Sequence, residues 1–282
     1  MHRPTLITGG TGMLARDLAR RLGTGVRTLA RADLDIADPG AVDAALAAIA
    51  PEVVINCAAM TAVDLCESRR EDAFRVNALG AGILAAASHR HGARLVHLST
   101  DYVFAGDLGR PYHEDDATGP RTVYGASKLA GELAVREHCP DHLILRIAWL
   151  YGPGGPSFVH TMLRLGALDG PALTVVDDQI GNPTSTAAVA DHLMLLLARG
   201  AVGTVHLSCE GEVSWHGFAR TIFARAGLTR AIVACTTAQF PRPAPRPANS
   251  RLDKAWLRRH ALPPMPTWQE AFARFLTEHP HG

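Results

Sequence analysis

Tyr124 and Lys128 are the two residues whose types and spacing say most about chemistry in this chain. Residues four positions apart are neighbours on a helix surface, so a helix here would place a phenol beside an ammonium. A neighbouring ammonium favours the phenolate, and we expect it to lower the pKa of Tyr124 from about 10 toward neutrality. Tyr124 is therefore a candidate proton donor to a carbonyl oxygen. A packing tyrosine is the alternative, since this spacing also arises by chance in many helices.

A glycine-rich turn near the start of the sequence favours a cofactor-dependent reaction. The apolar run at 5–8 predicts a strand, Gly9, Gly10 and Gly12 follow it, and leucines then repeat at helical spacing. A strand, a glycine turn and a helix N-terminus are what binding of a dinucleotide pyrophosphate requires. The spacing is G-x-x-G-x-x-A rather than G-x-G-x-x-G. An ordinary βα loop is the alternative, but the position before an amphipathic helix favours the cofactor.

The end of the second predicted strand, at 26–30, bears on which dinucleotide binds. An acidic side chain about 20 residues after the glycines would accept a hydrogen bond from a free ribose 2′-hydroxyl and would repel a 2′-phosphate. Here Arg31 comes first, and Asp33 and Asp35 follow it. We therefore predict NADPH, with Arg31 at the phosphate. NADH stays open, because a solvated surface cation explains Arg31 nearly as well.

The composition argues against several functional classes. The 282 residues include 28 Lys plus Arg and 27 Asp plus Glu, a balance that argues against nucleic-acid or membrane partners. The 14 histidines form no H-E-x-x-H pattern and the five cysteines no C-x-x-C pair. We therefore predict no metal, and reduced thiols in a cytoplasmic protein without a secretory signal. No apolar run approaches the roughly 20 residues that span a bilayer.

Short apolar runs alternate with helical patterns along the first half of the chain. Strands are predicted at 53–56, 95–100 and 143–146, and helices at 39–49, 67–77 and 78–91. Asp38 is expected to cap the first of these helices, with Pro39 at its first position. The alternation predicts an α/β protein with a doubly wound parallel sheet, the Rossmann fold. We predict a dinucleotide-binding core over 1–152 and a smaller C-terminal substrate lobe over 153–282, interleaved with the last core strands, in which 175–179 is interpreted as a loop.

Three chemically useful segments each follow a predicted strand. Ligands of an open parallel sheet bind beyond the carboxyl ends of its strands, where the glycine turn, residues 56–59 and Thr100 would meet. Thr100 would then hydrogen-bond a substrate carbonyl beside Tyr124, and Lys128 would hold the nicotinamide ribose. Reduction of a ketone by the dinucleotide is the reaction that this set predicts. A helix or turn cap is the alternative role for Thr100.

These motifs give the chain a resemblance to the extended short-chain dehydrogenases/reductases and, more narrowly, to the dTDP-4-dehydrorhamnose reductases. The broader resemblance rests on T-G-x-x-G at 8–12, N-x-A-A at 56–59, S-T-D-Y-V-F at 99–104 and Y-x-x-x-K at 124–128. The narrower one rests on A-V-D at 62–64, Y-G-x-S-K-x-x-G-E at 124–132, R-x-x-W-x-Y-G at 146–152, D-Q-x-G-x-P-T at 178–184 and R-P-x-N-S at 246–250. The segments occur in order over nearly the whole chain.

The resemblance implies NAD(P)H-dependent reduction of the C4 ketone of a nucleotide-linked 4-keto-6-deoxy sugar, the last step of dTDP-L-rhamnose formation. It implies a catalytic set of Thr100, Tyr124 and Lys128. The implied cofactor-binding residues are Gly9, Thr11, Gly12, Met13, Leu14, Arg31, Asp35, Ile36, Cys57, Ala58, Ala59, Asn77, Ser99, Tyr124 and Lys128. The implied substrate-binding residues are Thr61, Val63, Thr100, Asp101, Tyr102, Trp149 and Arg246.

Two of the substrate-binding residues also have a physical rationale. A Trp149 ring would offer a large apolar face to a sugar, and Arg246 in a proline-rich segment would clamp a diphosphate with paired hydrogen bonds. A tryptophan packed after a core strand and a surface arginine are the respective alternatives.

Three departures from the family pattern concern the sugar. Met60 stands where the family usually has an aromatic residue, Ser157 where it has an asparagine and Ser185 where it has a tyrosine. We expect all three to line the crevice, so the substrate is this sugar or a close analogue. The acidic residues that bind a divalent metal at a dimer interface in some members are not matched here, and a homodimer is left open.

Two other functions stay open. One is a nucleotide-sugar epimerase of the same superfamily; a dehydratase is disfavoured, because it would carry an acidic pair after the strand-end threonine and only Asp101 is acidic here. The other is a regulatory subunit that binds dinucleotide without turnover, as in the beta subunit of methionine adenosyltransferase, which this family resembles. The intact Thr100, Tyr124 and Lys128 argue against that role.

Overall fold

The computed structural model describes residues 4–279, and its helices and strands alternate as the sequence predicts. Within that range the strands are β1 (Thr5–Thr8), β2 (Val26–Leu29), β3 (Val53–Asn56), β4 (Arg94–Thr100), β5 (His142–Ile147), β6 (Leu150–Tyr151), β7 (Leu173–Val176), β8 (Ile180–Gly181), β9 (Thr184–Ser185), β10 (Gly203–His206), β11 (Val213–Ser214) and β12 (Ile232–Cys235). The α-helices are α1 (Met13–Leu22), α2 (Pro39–Ile49), α3 (Val63–Ser68), α4 (Arg70–Phe74), α5 (Ala81–Arg90), α6 (Val123–His138), α7 (Phe158–Gly166), α8 (Thr186–Ala198), α9 (Trp215–Ala226), α10 (Ala255–Arg259) and α11 (Trp268–Glu278). A π-helical turn (Arg75–Gly80) joins α4 to α5.

Six parallel strands form the main sheet in the order β10-β5-β4-β3-β1-β2. The strand order reverses between β1 and β3, which pair Thr8 with Asn56. Ligands of open α/β sheets bind beyond the carboxyl ends of the strands at such a switch point. Gly9 and Cys57 follow β1 and β3 there. The predicted doubly wound α/β fold is confirmed.

Helices cover both faces of this sheet, which explains why its strands bury apolar residues on both sides. Leu6 and Ile7 are adjacent in β1 but belong to different core clusters, because successive side chains of a strand point to opposite faces. Leu6 packs with the cluster that contains Leu46 of α2, and Ile7 with the cluster that contains Leu193 of α8. The prediction for the start of α2 is confirmed, since the Asp38 carboxylate accepts hydrogen bonds from the backbone at positions 40 and 41.

Two local predictions were wrong where distant contacts decide the structure. The helices predicted at 67–77 and 78–91 are instead α3 from Val63, a break at Arg69, α4, the π-helical turn and α5. The turn fits against the chain before α2, where a Cβ on Gly80 would lie 2.8 Å from Ile36 Cγ1. Part of the predicted loop at 175–179 is strand β7, because β7 pairs in parallel with β12, far along the sequence.

The division between 1–152 and 153–282 stays a prediction. The chain leaves the main sheet after β5 and returns to it at β10, which pairs with β5. Three two-stranded sheets, β6-β9, β7-β12 and β8-β11, occupy the intervening and following segments. Residues 1–3 and 280–282 of the predicted ranges lie outside the described residues. Within 4–279, no helix combines the length and apolar character needed to cross a membrane.

A buried carboxylate fixes α6 to the main sheet. Glu132 of α6 accepts hydrogen bonds from Ser99 Oγ of β4 (2.6 Å) and from Arg146 Nε and Nη2 of β5 (2.9 and 2.7 Å). Burial raises the pKa of Glu132, but Arg146, Ser99 and Arg136 outweigh it and hold the pKa below its usual range. Gly131 directly precedes Glu132 in α6. Because it has no side chain, α6 can approach the Asn77 carbonyl closely.

We expect Glu132→Gln to destabilise the fold by about 3–5 kcal/mol, because it leaves a buried guanidinium without its counter-charge. The free energy of unfolding in urea measures this. Glu278→Gln is the matched control, since Glu278 pairs with Arg274 at the surface of α11, and its loss should cost less than about 1 kcal/mol. Equal losses for the two variants would contradict the assigned role of Glu132.

Candidate active site

A cavity of about 810 Å³ opens at the carboxyl ends of the main-sheet strands. It is lined by all but two of the residues that the sequence predicts for the site: Gly9, Thr11, Gly12, Met13, Leu14, Arg31, Asp35, Ile36, Cys57, Ala58, Ala59, Thr61, Val63, Ser99, Thr100, Asp101, Tyr102, Tyr124, Lys128 and Trp149. Asn77 and Arg246 are the two exceptions. The fold therefore brings the predicted cofactor, catalytic and sugar residues to one crevice.

The turn between β1 and α1 has the shape of an anion cradle. Gly9 has φ +66°, and a Cβ there would lie 2.7 Å from the backbone nitrogen of Ala58, so the turn needs glycine. Gly12 precedes α1 without a side-chain cap, which leaves the first turn of α1 to an external acceptor such as a phosphate. Asn56 Oδ1 braces the neighbouring strand end by accepting from Thr8 Oγ1 (2.8 Å) and from the Ala58 N–H (3.1 Å).

Three arginines, Arg31, Arg69 and Arg75, line the cavity, and sequence reasoning found only the first. Arg75 donates to the Asp35 carboxylate at 2.5 Å and, with the Ala37 N–H, holds the pKa of Asp35 below its usual range. No neighbouring residue in the sequence indicates that Arg75 belongs to the site. It reaches Asp35, forty positions earlier, because of the π-helical turn that it begins.

Thr100 both lines the cavity and caps the turn that follows β4. Its Oγ1 accepts from the Tyr102 N–H (3.2 Å) and donates to the Asp101 carboxylate (3.0 Å). Burial raises the pKa of Asp101 to about 6. The ring of Tyr102 meets that of Tyr124 edge-on, with centroids 5.4 Å apart. Thr100 is therefore a turn cap, the alternative role considered for it, and this cap keeps its hydroxyl beside Tyr124.

The expected fall in the pKa of Tyr124 is wrong. Burial raises that pKa, the Thr100 side chain only partly offsets the rise, and the Asp101 charge adds to it. Lys128 does not act on the phenol here, because its ammonium donates to the Leu98 carbonyl of β4 at 2.5 Å. Positions four apart share a helix face, but a long lysine side chain can direct its tip elsewhere. Tyr124 is therefore a firmly protonated phenol.

A buried histidine, which sequence reasoning missed, adjoins Lys128. Asn56 Nδ2 lies 3.1 Å from His97 Nδ1, and His97 Nε2 lies 3.3 Å from Lys128 Nζ. Burial and the Lys128 charge hold the pKa of His97 well below its usual range, so the ring is neutral and its one acceptor nitrogen can serve only one of these two donors. Burial also lowers the pKa of Lys128 to about 8. The only signal for His97 was a polar residue inside an apolar strand.

The two predicted residues outside the cavity wall have structural partners instead. The Asn77 amide bonds both backbone groups of Met60 (2.8 and 3.0 Å) and Ser127 Oγ (2.9 Å), tying the end of β3 to α6. The Arg246 guanidinium bonds Asp64 and the Ala244 carbonyl, each at 2.9 Å. Both side chains are held by the protein and neither is among the residues that line the cavity, so their binding roles stay predictions.

The sugar side of the cavity is aromatic. Trp149 is stacked on Trp215, which comes from α9 and was not predicted; their ring centroids are 3.4 Å apart. Of the three departures from the family pattern, only Met60 lines the cavity. Ser157 and Ser185 are N-caps of α7 and α8, so the expectation that they line the crevice is wrong. Serine at these positions serves helix initiation.

Comparisons with known proteins agree along the whole chain. A family model described as RmlD substrate binding domain matches residues 2–280. A dTDP-4-dehydrorhamnose reductase from Streptomyces griseus is 48% identical, over 94% of this chain and 90% of the relative. A probable dTDP-4,6-dihydroxy-2-methyloxan-3-one 4-ketoreductase from Streptomyces antibioticus is 44% identical, over 98% and 97%. The crystal structure of a dTDP-4-dehydrorhamnose reductase from Bacillus anthracis in complex with NADP has a TM-score of 0.96 at 38% identity, covering 99% of this chain and 100% of that one.

Gly9→Ala should weaken NADPH binding about tenfold or more, because the added Cβ displaces the turn from the Ala58 backbone. Fluorescence titration with NADPH measures this. Gly23→Ala is the matched control: Gly23 also has positive φ, but no atom lies within 4 Å of its Cβ position. Both variants should lose stability because both positions have positive φ, Gly9→Ala more because of the added clash, and only Gly9→Ala should lose affinity for NADPH. Unchanged affinity in Gly9→Ala would place the dinucleotide elsewhere.

Proposed function

The chain belongs to the RmlD substrate binding domain family, and on that premise we propose that it reduces the C4 ketone of a nucleotide-linked 4-keto-6-deoxy sugar with NADPH. The proposed substrate is dTDP-4-dehydro-L-rhamnose, and the product is dTDP-L-rhamnose. One observation carries the proposal: the glycine cradle, Thr100, Tyr124 and Lys128 lie in one cavity. The name of the Streptomyces griseus relative supports the choice of substrate.

The cavity residues fit NADPH. The Gly9 turn leaves room where a Cβ would collide, and the uncapped N-terminus of α1 suits the pyrophosphate. Arg31 and Arg75 would hold the 2′-phosphate, and Arg75 neutralises the Asp35 carboxylate that would repel it. NADPH bound in this way supplies the hydride. The NADP in the Bacillus anthracis relative supports this choice of cofactor.

Tyr124 is the proposed proton donor to the oxygen of the reduced ketone. Its raised pKa keeps the phenol protonated throughout the physiological range, so it can give up its proton only as negative charge develops on that oxygen. Thr100 Oγ1, fixed by the turn it caps, would donate to the same oxygen and orient it once its one proton turns away from the Asp101 carboxylate. Lys128, with a pKa of about 8, is mostly charged at neutral pH and would hold the ribose hydroxyls.

Trp149, Tyr102 and Met60 would line the sugar pocket, and Thr61 and Val63 the approach from β3. We leave Arg246 out of the substrate set, because it does not line the cavity and Asp64 and Ala244 hold its guanidinium. The alternatives differ in what they consume. An epimerase produces an isomer without net NADPH oxidation, and a regulatory subunit binds NADPH without turnover. Sustained NADPH oxidation with the keto sugar excludes both.

Tyr124→Phe should lower kcat/KM for dTDP-4-dehydro-L-rhamnose by roughly 10²–10⁴-fold, because it removes the general acid. NADPH oxidation followed by absorbance measures this, and NADPH affinity should be unchanged. Tyr151→Phe is the matched control, since Tyr151 is a core residue whose hydroxyl has no hydrogen-bond partner within residues 4–279. A Tyr124→Phe enzyme as active as Tyr151→Phe would assign the proton to another group.

A further inference from the structure

Trp149 has a backbone conformation that large residues rarely adopt. Its φ is +47°, in the left-handed region. Such a conformation costs free energy in a bulky residue and persists only where the surroundings hold it, most often at functional sites. The position of Trp149 between β5 and β6 is fixed in part by its carbonyl, which accepts from the Thr184 N–H of β9 at 3.1 Å. The backbone is thus held so that the indole is directed into the cavity wall.

The indole of Trp149 lies flat against that of Trp215. The ring planes differ by 8° and their centroids are 3.4 Å apart, which is full van der Waals contact. Trp215 is in turn held by Phe158 of α7, whose ring centroid is 4.4 Å away. Ser214 caps the helix that begins with Trp215 by accepting from the Gly217 N–H at 2.9 Å. Trp215 is therefore fixed from two sides before it meets Trp149.

Gly181 and Trp215 together hold the Trp149 ring, and we call this pair of residues the holder. A Cβ on Gly181 would lie 2.7 Å from Trp149 Nε1 and 2.8 Å from Cζ2, so any other residue would push the indole aside. Gly181 lies in β8, which pairs with β11 so that Gly181 is opposite Val213. Trp215 follows β11 directly. The antiparallel pair β8-β11 thus provides both Gly181, which leaves space for the Trp149 indole, and Trp215, which stacks on that indole.

We propose that Trp215 and Gly181 are positioning residues that hold Trp149 as a rigid wall for the sugar of the nucleotide-linked substrate, and so set its specificity. This rests on the proposed function. Trp149 and Trp215 both line the cavity that contains Tyr124, and they follow β5 and β11, whereas the turn at Gly9 that would hold the pyrophosphate follows β1. Loss of the holder should therefore weaken binding of the sugar nucleotide and leave NADPH binding and the proton transfer intact.

The test compares Trp215→Ala, Trp215→Phe and Gly181→Ala with Trp256→Ala as control. Trp256 also stacks on a ring, that of His260 at 3.8 Å, but lines a different cavity. We expect the KM for dTDP-4-dehydro-L-rhamnose to rise roughly tenfold in Trp215→Ala and Gly181→Ala, the size of effect that one lost aromatic contact gives. The kcat and the affinity for NADPH should stay near wild type, and Trp215→Phe should restore most of the KM.

Far-ultraviolet circular dichroism provides a readout that is independent of turnover. Two indoles in contact couple their transitions when the transition dipoles are not parallel, so an exciton signal that is present in the wild type, lost in Trp215→Ala and retained in Trp256→Ala would support the stacked pair. An unchanged KM in both Trp215→Ala and Gly181→Ala, in an enzyme that turns over the keto sugar, would overturn the inference. A wild type that fails to turn over the keto sugar would instead overturn the proposed function.

Discussion

The buried Glu132 carboxylate is the interaction on which the geometry of the active site depends. It joins α6 to β4 through Ser99 and to β5 through Arg146, so the helix that carries Tyr124 cannot slide along the sheet that carries Thr100. A charge in this position is stable only because the opposing guanidinium is equally buried. The close approach of Gly131 to the Asn77 carbonyl then sets the depth of the helix against the π-helical turn. Catalytic placement and fold stability therefore share the same contacts.

Docking α6 this closely also determines the electrostatics of the site. The Lys128 side chain is buried against β4, where it loses hydration and contacts His97 and the Leu98 carbonyl rather than the Tyr124 phenol. Tyr124 remains a protonated phenol with a raised pKa, which suits the proton donation proposed for it. Hydroxyls of a bound ribose would compete with Leu98 for the ammonium.

The sequence was informative where the signal is local. The glycine turn, the Asp38 cap and the carboxyl-end placement of Thr100 follow from neighbouring residues and from the general geometry of parallel sheets. The structure departs from prediction where distant segments meet. Arg75 depends on a π-helical turn, β7 on a partner strand far along the chain, and Trp215 on the pairing of β8 with β11. The pKa of Tyr124 is raised rather than lowered as predicted for the same reason, because burial depends on the folded chain and not on the spacing of Tyr124 and Lys128.

Net transfer of hydride to the sugar distinguishes a reductase from an epimerase on this fold. The most direct measurement supplies NADPH that carries deuterium at both C4 positions, together with dTDP-4-dehydro-L-rhamnose, and locates the label by mass spectrometry and proton NMR. We expect one deuterium per product molecule, at C4 of a dTDP-L-rhamnose, with one NADPH consumed for each. An unlabelled sugar product, or an isomerised keto sugar with the NADPH left intact, would contradict the reductase.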